Sequence, residues 1–594
     1  MAAVAGARLR DPVAAAAVVE RMLDAAPHRG EQREVATVGR CSVGITNDPD
    51  HREATLAARN GLVVAFTGAL DNPDDIAHRL SGSNGAVRAA SPSELVLAAF
   101  EALGESLPPL LRGNFSCLIS DGQRLLAFRD QIGFESLFYR EDATGVYLAT
   151  EAKQVLAGAG VPREPDMELI QAMFYGDVQD ATACPLRGVR RLLAGTLLNA
   201  DGDSLTTRRY WDPTGLVETA SLSSDEVVER FRELFTQAVR RTLTGSGVVA
   251  LSGGIDSPPI AAFGTREHAQ LFGRPMPALA EVYPSHPSSD ETHYIELVAA
   301  RLGVPLHTYE PGRQRLDRLQ YWVKLFDGPW STVAPEGTAQ RCREARSLGF
   351  RTLLTGHFAE HVTAAGHWLV VPHLIWRARF RAAAAQLASQ RNAGTGRRRL
   401  ASQVLAAFTP RVVQRQQLSG RPQLPVPSWI DGRRIAERDA GAALPARKRW
   451  LSFQLPFFGG STTGEADIYS HAVNGIRPRR PWADVDLWEF FLSLRAEAKF
   501  PDYRMKGLAR TALREDVPDE ILDRRDKTNT NEYFRSMCLD YEALRRWLLA
   551  PEYRVDGVDY ALLARELEKE DMSLAQYLWA RDLAAVHAFL DLWN

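Results

Sequence analysis

Cysteine is scarce in this chain: five in 594 residues, at positions 41, 117, 184, 342 and 538. None stands in a C-x-x-C pair, which leaves out a disulfide framework and a structural zinc knuckle and suits a reducing cytosol. No sign of charge prevails, with 71 Lys and Arg against 73 Asp and Glu and a net charge of −2. That balance excludes a surface wholly given over to nucleic acid. Long apolar runs are missing too, and nothing approaches the ~18 residues of a membrane span. Pro12–Val19 (PVAAAAVV) imitates a signal segment, but Arg8, Arg10 and Asp11 precede it and Glu20 and Arg21 follow. A short amphipathic helix is expected there. What remains is a cytoplasmic multidomain chain, 45% hydrophobic, with enough apolar residues for a full core.

Residues 1–215 read as short strands with few helices. Strands are expected at Gly61–Gly68, Phe115–Ile119, Leu125–Phe128, Glu135–Phe138 and Val146–Ala149, and an amphipathic helix at Ser93–Leu103. From residue 216 to 594 strand and helix alternate, the mark of a parallel sheet. Ser223–Glu226 is a capping box, and Val228, Phe231, Leu234, Phe235, Ala238 and Val239 follow at helical spacing. Further strands are expected at Val248–Leu251, Ala278–Tyr283, Leu306–Tyr309 and Thr352–Thr355. Ser288–Glu291 reads as a second capping box, opening a helix that stops at Gly303. Beyond Phe380 the pattern is helical, with an insert or lid over about 375–450 and a polar, basic break at Arg391–Arg399.

Ser252-Gly253-Gly254-Ile255-Asp256-Ser257 follows an apolar strand directly. Two glycines let the backbone turn tightly and approach an anion without a Cβ clash. The helix behind them points free N–H groups and its positive end at that anion. Ser252 and Ser257 supply hydroxyl donors. Asp256 would repel a phosphate, so its expected work is to hold Mg²⁺ against one. The Walker loop G-x-x-x-x-G-K-[ST] is absent. The loop resembles the pyrophosphate loop of the ATP-pyrophosphatase superfamily, whose members cleave ATP between the α and β phosphates and form adenylates. Pro258 and Pro259 depart from that pattern and remove two N–H donors. The resemblance also implies backbone contacts to ATP from Val282, beside Tyr283, and from Thr355 and Gly356.

The first domain resembles the glutaminase-like, Ntn-hydrolase-type domain of asparagine synthetase. His28-Arg29-Gly30, Arg129-Asp130 with Gly133, Ala149–Lys153 and Arg209–Asp212 fall in the family's order. Its nucleophile does not. Ala2 stands where such an enzyme has Cys, and Thr67-Gly68-Ala69 replaces the glutamine-holding N-G-E. Release of ammonia is therefore not expected, and another amine must attack. Arg479–Asp484, Lys499-Phe500-Pro501, Lys506-Gly507, Val517–Leu522 and Arg524–Lys527 resemble the lasso-peptide cyclases of the asparagine synthetase and β-lactam synthetase family.

That resemblance implies a fold of two parts: an inactive glutaminase-like sandwich, then an ATP-pyrophosphatase parallel-sheet domain with a helical C-terminal part. It implies ATP and Mg²⁺, with Asp256 and Glu360 as metal carboxylates and Lys527 and Arg525 as catalytic cations. It further implies a precursor peptide substrate, a leader-recognition protein and a leader protease. A β-lactam synthetase, or an asparagine synthetase-like amidotransferase with a small substrate, is the alternative. A degenerate member that only binds peptide is a third reading. His357-Phe358-Ala359-Glu360-His361 also spells the H-x-x-E-H pattern of a zinc peptidase, which requires both histidines on one helix face.

Overall fold

The computed structural model describes residues 2–49, 53–81, 89–178, 180–329, 335–364, 366–392, 394–408, 425–435, 462–524, 528 and 531–593. Twelve antiparallel strands make up two sheets of the N-terminal part: β1 (Ala3–Leu9), β2 (Gln32–Val38), β3 (Cys41–Asn47), β4 (Ala54–Arg59), β5 (Leu62–Leu70), β6 (Gly113–Ser120), β7 (Leu125–Arg129), β8 (Phe138–Asp142), β9 (Gly145–Ala149), β10 (Arg190–Arg191), β11 (Thr196–Asp201) and β12 (Ser204–Arg209). One sheet runs β10-β8-β9-β1-β3-β2, the other β12-β11-β7-β6-β5-β4. Their inner faces meet through Val4, Val43, Ile45, Val63, Ala65, Leu118 and Leu148. Helix α1 (Ala15–Asp24) lays Val18, Val19 and Met22 on the outer face of the first sheet. The two stacked antiparallel sheets form the sandwich expected for the first part, and a mixed α/β domain with a parallel sheet follows.

Glu135–Phe138, expected as a strand, is not one. The buried Asp130 carboxylate accepts from the N–H groups of Ile132, Gly133, Phe134 and Glu135, at 2.6–3.2 Å. Those donors are thereby taken from any ladder, and pairing starts only at Phe138. Two separated sequence motifs meet at one carboxylate. Glu151 accepts from His28 Nε2 (2.7 Å), Arg29 Nε (2.5 Å) and Lys153 Nζ (2.5 Å). Burial works to raise its pKa, but these three cations hold it well below the usual carboxylate range.

The second part carries β13 (Gly247–Ala250), β14 (Ala278–Glu281), β15 (Leu306–Tyr309), β16 (Thr352–Leu354) and β17 (Arg477–Arg479), all parallel in the order β15-β14-β13-β16-β17. The chain leaves β13 towards β14 on one side and returns to β16 on the other. The crevice between β13 and β16, at their C-terminal ends, is therefore a topological switch point, where open α/β sheets bind ligands. Helix α2 (Ser224–Thr242) starts at the expected capping box and buries Phe231 and Phe235 against Trp482. Helix α3 (Ser257–Phe272) begins at the nucleotide loop.

The second expected capping box does not form. Helix α4 runs Thr292–Leu302 with Glu291 at its cap and no side-chain cap bond. Asp290 instead accepts from Tyr283 N at 2.8 Å, which ties the loop back to the end of β14. The basic break is also shorter than expected: α6 (Phe380–Asn392) and α7 (Arg397–Phe408) close around it, so Arg397, Arg398 and Arg399 are helical. Between α4 and these lies α5 (Ala359–Thr363). Much of the expected insert, residues 409–424 and 436–461, lies outside the described residues.

Helix α8 (Thr462–Ala472) joins the two parts. Glu465 accepts from Arg191 Nε at 2.7 Å and lies 3.7 Å from Arg129. Tyr469, one turn on, lies under the Arg29 guanidinium at 4.9 Å. Arg477 reaches Glu53 at 2.7 Å and Glu135 at 3.4 Å. All these groups are buried, so removing one partner strands a charge.

Candidate nucleotide site

The loop after β13 is closed by its own hydroxyls. Ser257 Oγ accepts from Ser252 N at 2.8 Å and lies 3.1 Å from Ser252 Oγ. Gly254 N points to Ser252 Oγ at 3.4 Å. Ile255 packs on the core beneath. A Cβ on Gly253 would stand 2.8 Å from Glu291 Cβ and 2.9 Å from Tyr294 Cβ. On Gly356 it would stand 2.9 Å from Asp256 Cβ. Both positions admit only glycine, and Gly356 brings the loop after β16 directly onto Asp256. Thr355 donates its N–H to Arg479 O at 2.9 Å, while its buried hydroxyl has no hydrogen-bond partner among the described residues. Val282 N is committed to Tyr309 O at 3.0 Å.

Four groups that sequence reading did not assign to the site converge on this loop. Lys506 Nζ donates to both Asp256 oxygens, at 2.5 and 2.7 Å, and lies 4.0 Å from Glu360 Oε1. The lysine is buried while Glu360 is largely exposed. The two carboxylates proposed for metal thus share one cation. Glu291, read from sequence as a cap, accepts Gly253 N at 3.0 Å and pairs with Arg524 at 2.8 Å. Arg524 also donates to Gly253 O at 2.9 Å and covers the Tyr294 ring at 4.2 Å. Trp482 donates its indole N–H to Asp256 O at 2.8 Å. For Lys506, Trp482 and Arg524 the signal was the likeness at Lys506-Gly507, Arg479–Asp484 and Arg524–Lys527; Glu291 lies in none of these segments. Arg525 and Lys527 lie outside the described residues; Thr528, just after them, donates to Glu291.

His357 lies at the mouth of the same crevice. Its ring is 52% exposed and 4.0 Å from Asp467. Burial nearby pulls the imidazole down to about 4, against the attraction of Asp467, so the ring is neutral at pH 7. Burial pushes Asp467 the other way, yet His471, Arg480 and His357 hold its carboxyl below the usual range. The zinc-peptidase reading fails on backbone geometry. Phe358 has φ 74 and stands before α5, so His357 is outside the helix that carries His361. The two rings do not share a helix face.

The site fits a phosphate-bearing nucleotide. Close-approach glycines, free hydroxyl capacity at Thr355 and two cations, Lys506 and Arg524, surround one loop. Asp256 and Glu360 offer hard oxygens to Mg²⁺. The three cysteines of the first domain offer no nucleophile: Cys41, Cys117 and Cys184 are buried, and burial raises all three thiols.

Residues 1–211 match the family described as Glutamine amidotransferase domain, and residues 230–594 the one described as Asparagine synthase. Among similar proteins is the glutamine-hydrolyzing asparagine synthetase 3 of Bacillus subtilis, 23% identical over 85% of this chain and 80% of that one. The amidase chyE of Penicillium rubens is 25% identical over 61% of this chain and 57% of its own length. The carboxyethyl-arginine beta-lactam-synthase of Streptomyces clavuligerus is 28% identical over 38% of this chain and 41% of that protein. Among the described residues no helix is long and apolar enough to cross a membrane.

Proposed function

This chain belongs to the asparagine synthase family and is an ATP-dependent amide-forming enzyme; within that family we propose that it is a lasso-peptide cyclase. The observation that carries this reading is an amidotransferase-type domain whose cysteines are all buried thiols, so the attacking amine must come with the substrate. The motif likenesses around Arg479–Asp484 and Arg524–Lys527 favour a peptide substrate. A leader-recognition protein and a leader protease would be its partners.

In the proposed reaction an Asp or Glu side-chain carboxylate of the precursor core attacks the α-phosphate of ATP. The bond to the β-phosphate breaks and pyrophosphate leaves. Ser252, Gly253, Gly254, Ile255 and Ser257 cradle the phosphates, with Thr355, Gly356 and the strand end at Val282 on the nucleoside side. Asp256 and Glu360 would hold Mg²⁺, which neutralises phosphate charge when bound. The peptide's N-terminal amine then attacks the acyl carbon and AMP leaves, closing an isopeptide ring. Lys527, assisted by Arg525, offsets the negative charge that develops in both steps. The amine attacks as its free base, and the proton it loses passes to water.

Incubation with ATP, Mg²⁺ and a leader-free precursor is expected to lower the peptide mass by one water and to yield AMP. ADP as product, or no AMP with any precursor, would sink the reading. AMP formed only with a small amino acid would favour the alternative, a β-lactam-forming or asparagine synthetase-like enzyme.

A further inference from the structure

Residues 361–430 contain ten Arg, no Lys, and no Asp or Glu. Against a net charge of −2 for the whole chain, the remainder therefore carries −12. Positive charge is unmixed in this segment, whose described part includes the α6–α7 hairpin. Two of its arginines are spent on structure: Arg377 lies 3.5 Å from Glu218, and Arg379 pairs with Glu497. Arg381, Arg391, Arg397, Arg398 and Arg399 are exposed and make no ion pair among the described residues.

Three of these five occupy the first turn of α7, which holds no acidic residue. The helix macrodipole disfavours cations there, by about 0.3–1 kcal/mol each when exposed. Local stability does not explain such a cluster, and a bound anion would relieve it. Large apolar side chains stand beside the charge: Phe380 is 62% exposed and Phe408 70%. The hairpin also packs against the segment that leads to Lys506. Gln386 donates to Phe500 O at 3.2 Å, and Arg399 lies near enough to Tyr503 to oppose the rise that burial imposes on its hydroxyl. Lys506, which grips Asp256, is one turn further along the chain.

We infer that the α6–α7 hairpin is a docking surface for an acidic peptide segment, which it leads toward the nucleotide site. Guanidinium groups give carboxylates charge-assisted, bidentate bonds, and the exposed phenylalanines take apolar side chains between them. The peptide as occupant rests on the cyclase reading, but binding is measured without nucleotide, so the two fail separately.

The test uses the full-length protein and a fluorescein-labelled peptide that alternates Glu with Ala, with its Gln counterpart as control. Fluorescence anisotropy should show salt-sensitive binding of the Glu peptide and none of the Gln peptide. Arg397→Gln/Arg398→Gln/Arg399→Gln should weaken binding roughly tenfold, whereas Arg230→Gln, an exposed arginine elsewhere, should not. The triple variant should melt at the wild-type temperature or above it, because the dipole conflict is removed. Arg381→Gln/Arg391→Gln provides an independent second variant and should also weaken binding. Unchanged affinity in both multiple variants overturns the inference. So does binding of duplex DNA, or of phosphatidylserine vesicles, as tight as that of the Glu peptide.

Discussion

Lys506→Met is expected to lower ATP–pyrophosphate exchange roughly 10²–10³-fold, the usual cost of deleting one preorganised charge from a transition-state site. Lys506 Nζ bonds both oxygens of Asp256 and sits 4.0 Å from Glu360, with only 6% of its side chain exposed. It is the counter-ion that lets two carboxylates face each other across the loop. Asp256 and Glu360 would hold Mg²⁺ there, and Lys506 would then be available to phosphate oxygens. Methionine keeps the stem and its packing but removes the charge. The backbone already holds φ 62 here, so both residues meet the same strain. Exchange within about threefold of wild type would show that the lysine only fills space.

The loop itself was legible in the sequence because its signal is local. Two glycines, an aspartate and a serine after an apolar strand specify a turn, a helix start and an anion seat within six residues. The order of motifs in the first domain was legible for the same reason, and the structure shows what each holds: His28 and Arg29 serve Glu151, and Asp130 gathers the amides after it. What sequence could not show is work done at a distance. Lys506 lies 250 residues from Asp256, and Arg524 lies 233 from Glu291. Glu291 was misread because S-S-D-E is a sound local capping pattern. Tertiary bonds to Tyr283 N and Gly253 N took both acids away from that use. Likewise β1 went unanticipated: AVAGARL is poor in β-branched residues, and pairing with β3 and β9 makes it a strand.

Lys527→Ala is expected to abolish ring closure, by roughly 10³-fold or more, without unfolding the chain. Both half-reactions raise negative charge at the reacting centre. A carboxylate first adds to the α-phosphate; later a tetrahedral intermediate carries an oxyanion. An ammonium fixed near both is worth more as the site closes and water leaves. Arg524 and Thr528 both bond to Glu291, which itself holds the loop amide of Gly253. Arg524 and Thr528, on either side of residues 525–527, are thereby tied to the nucleotide loop. Lys506→Met and Lys527→Ala should separate by partial reaction. The first should act chiefly on pyrophosphate exchange, where phosphate charge dominates. The second should depress exchange and also the capture of a preformed acyl-adenylate by the amine. Retained cyclisation in Lys527→Ala, with an unchanged melting temperature, would remove that lysine from the mechanism.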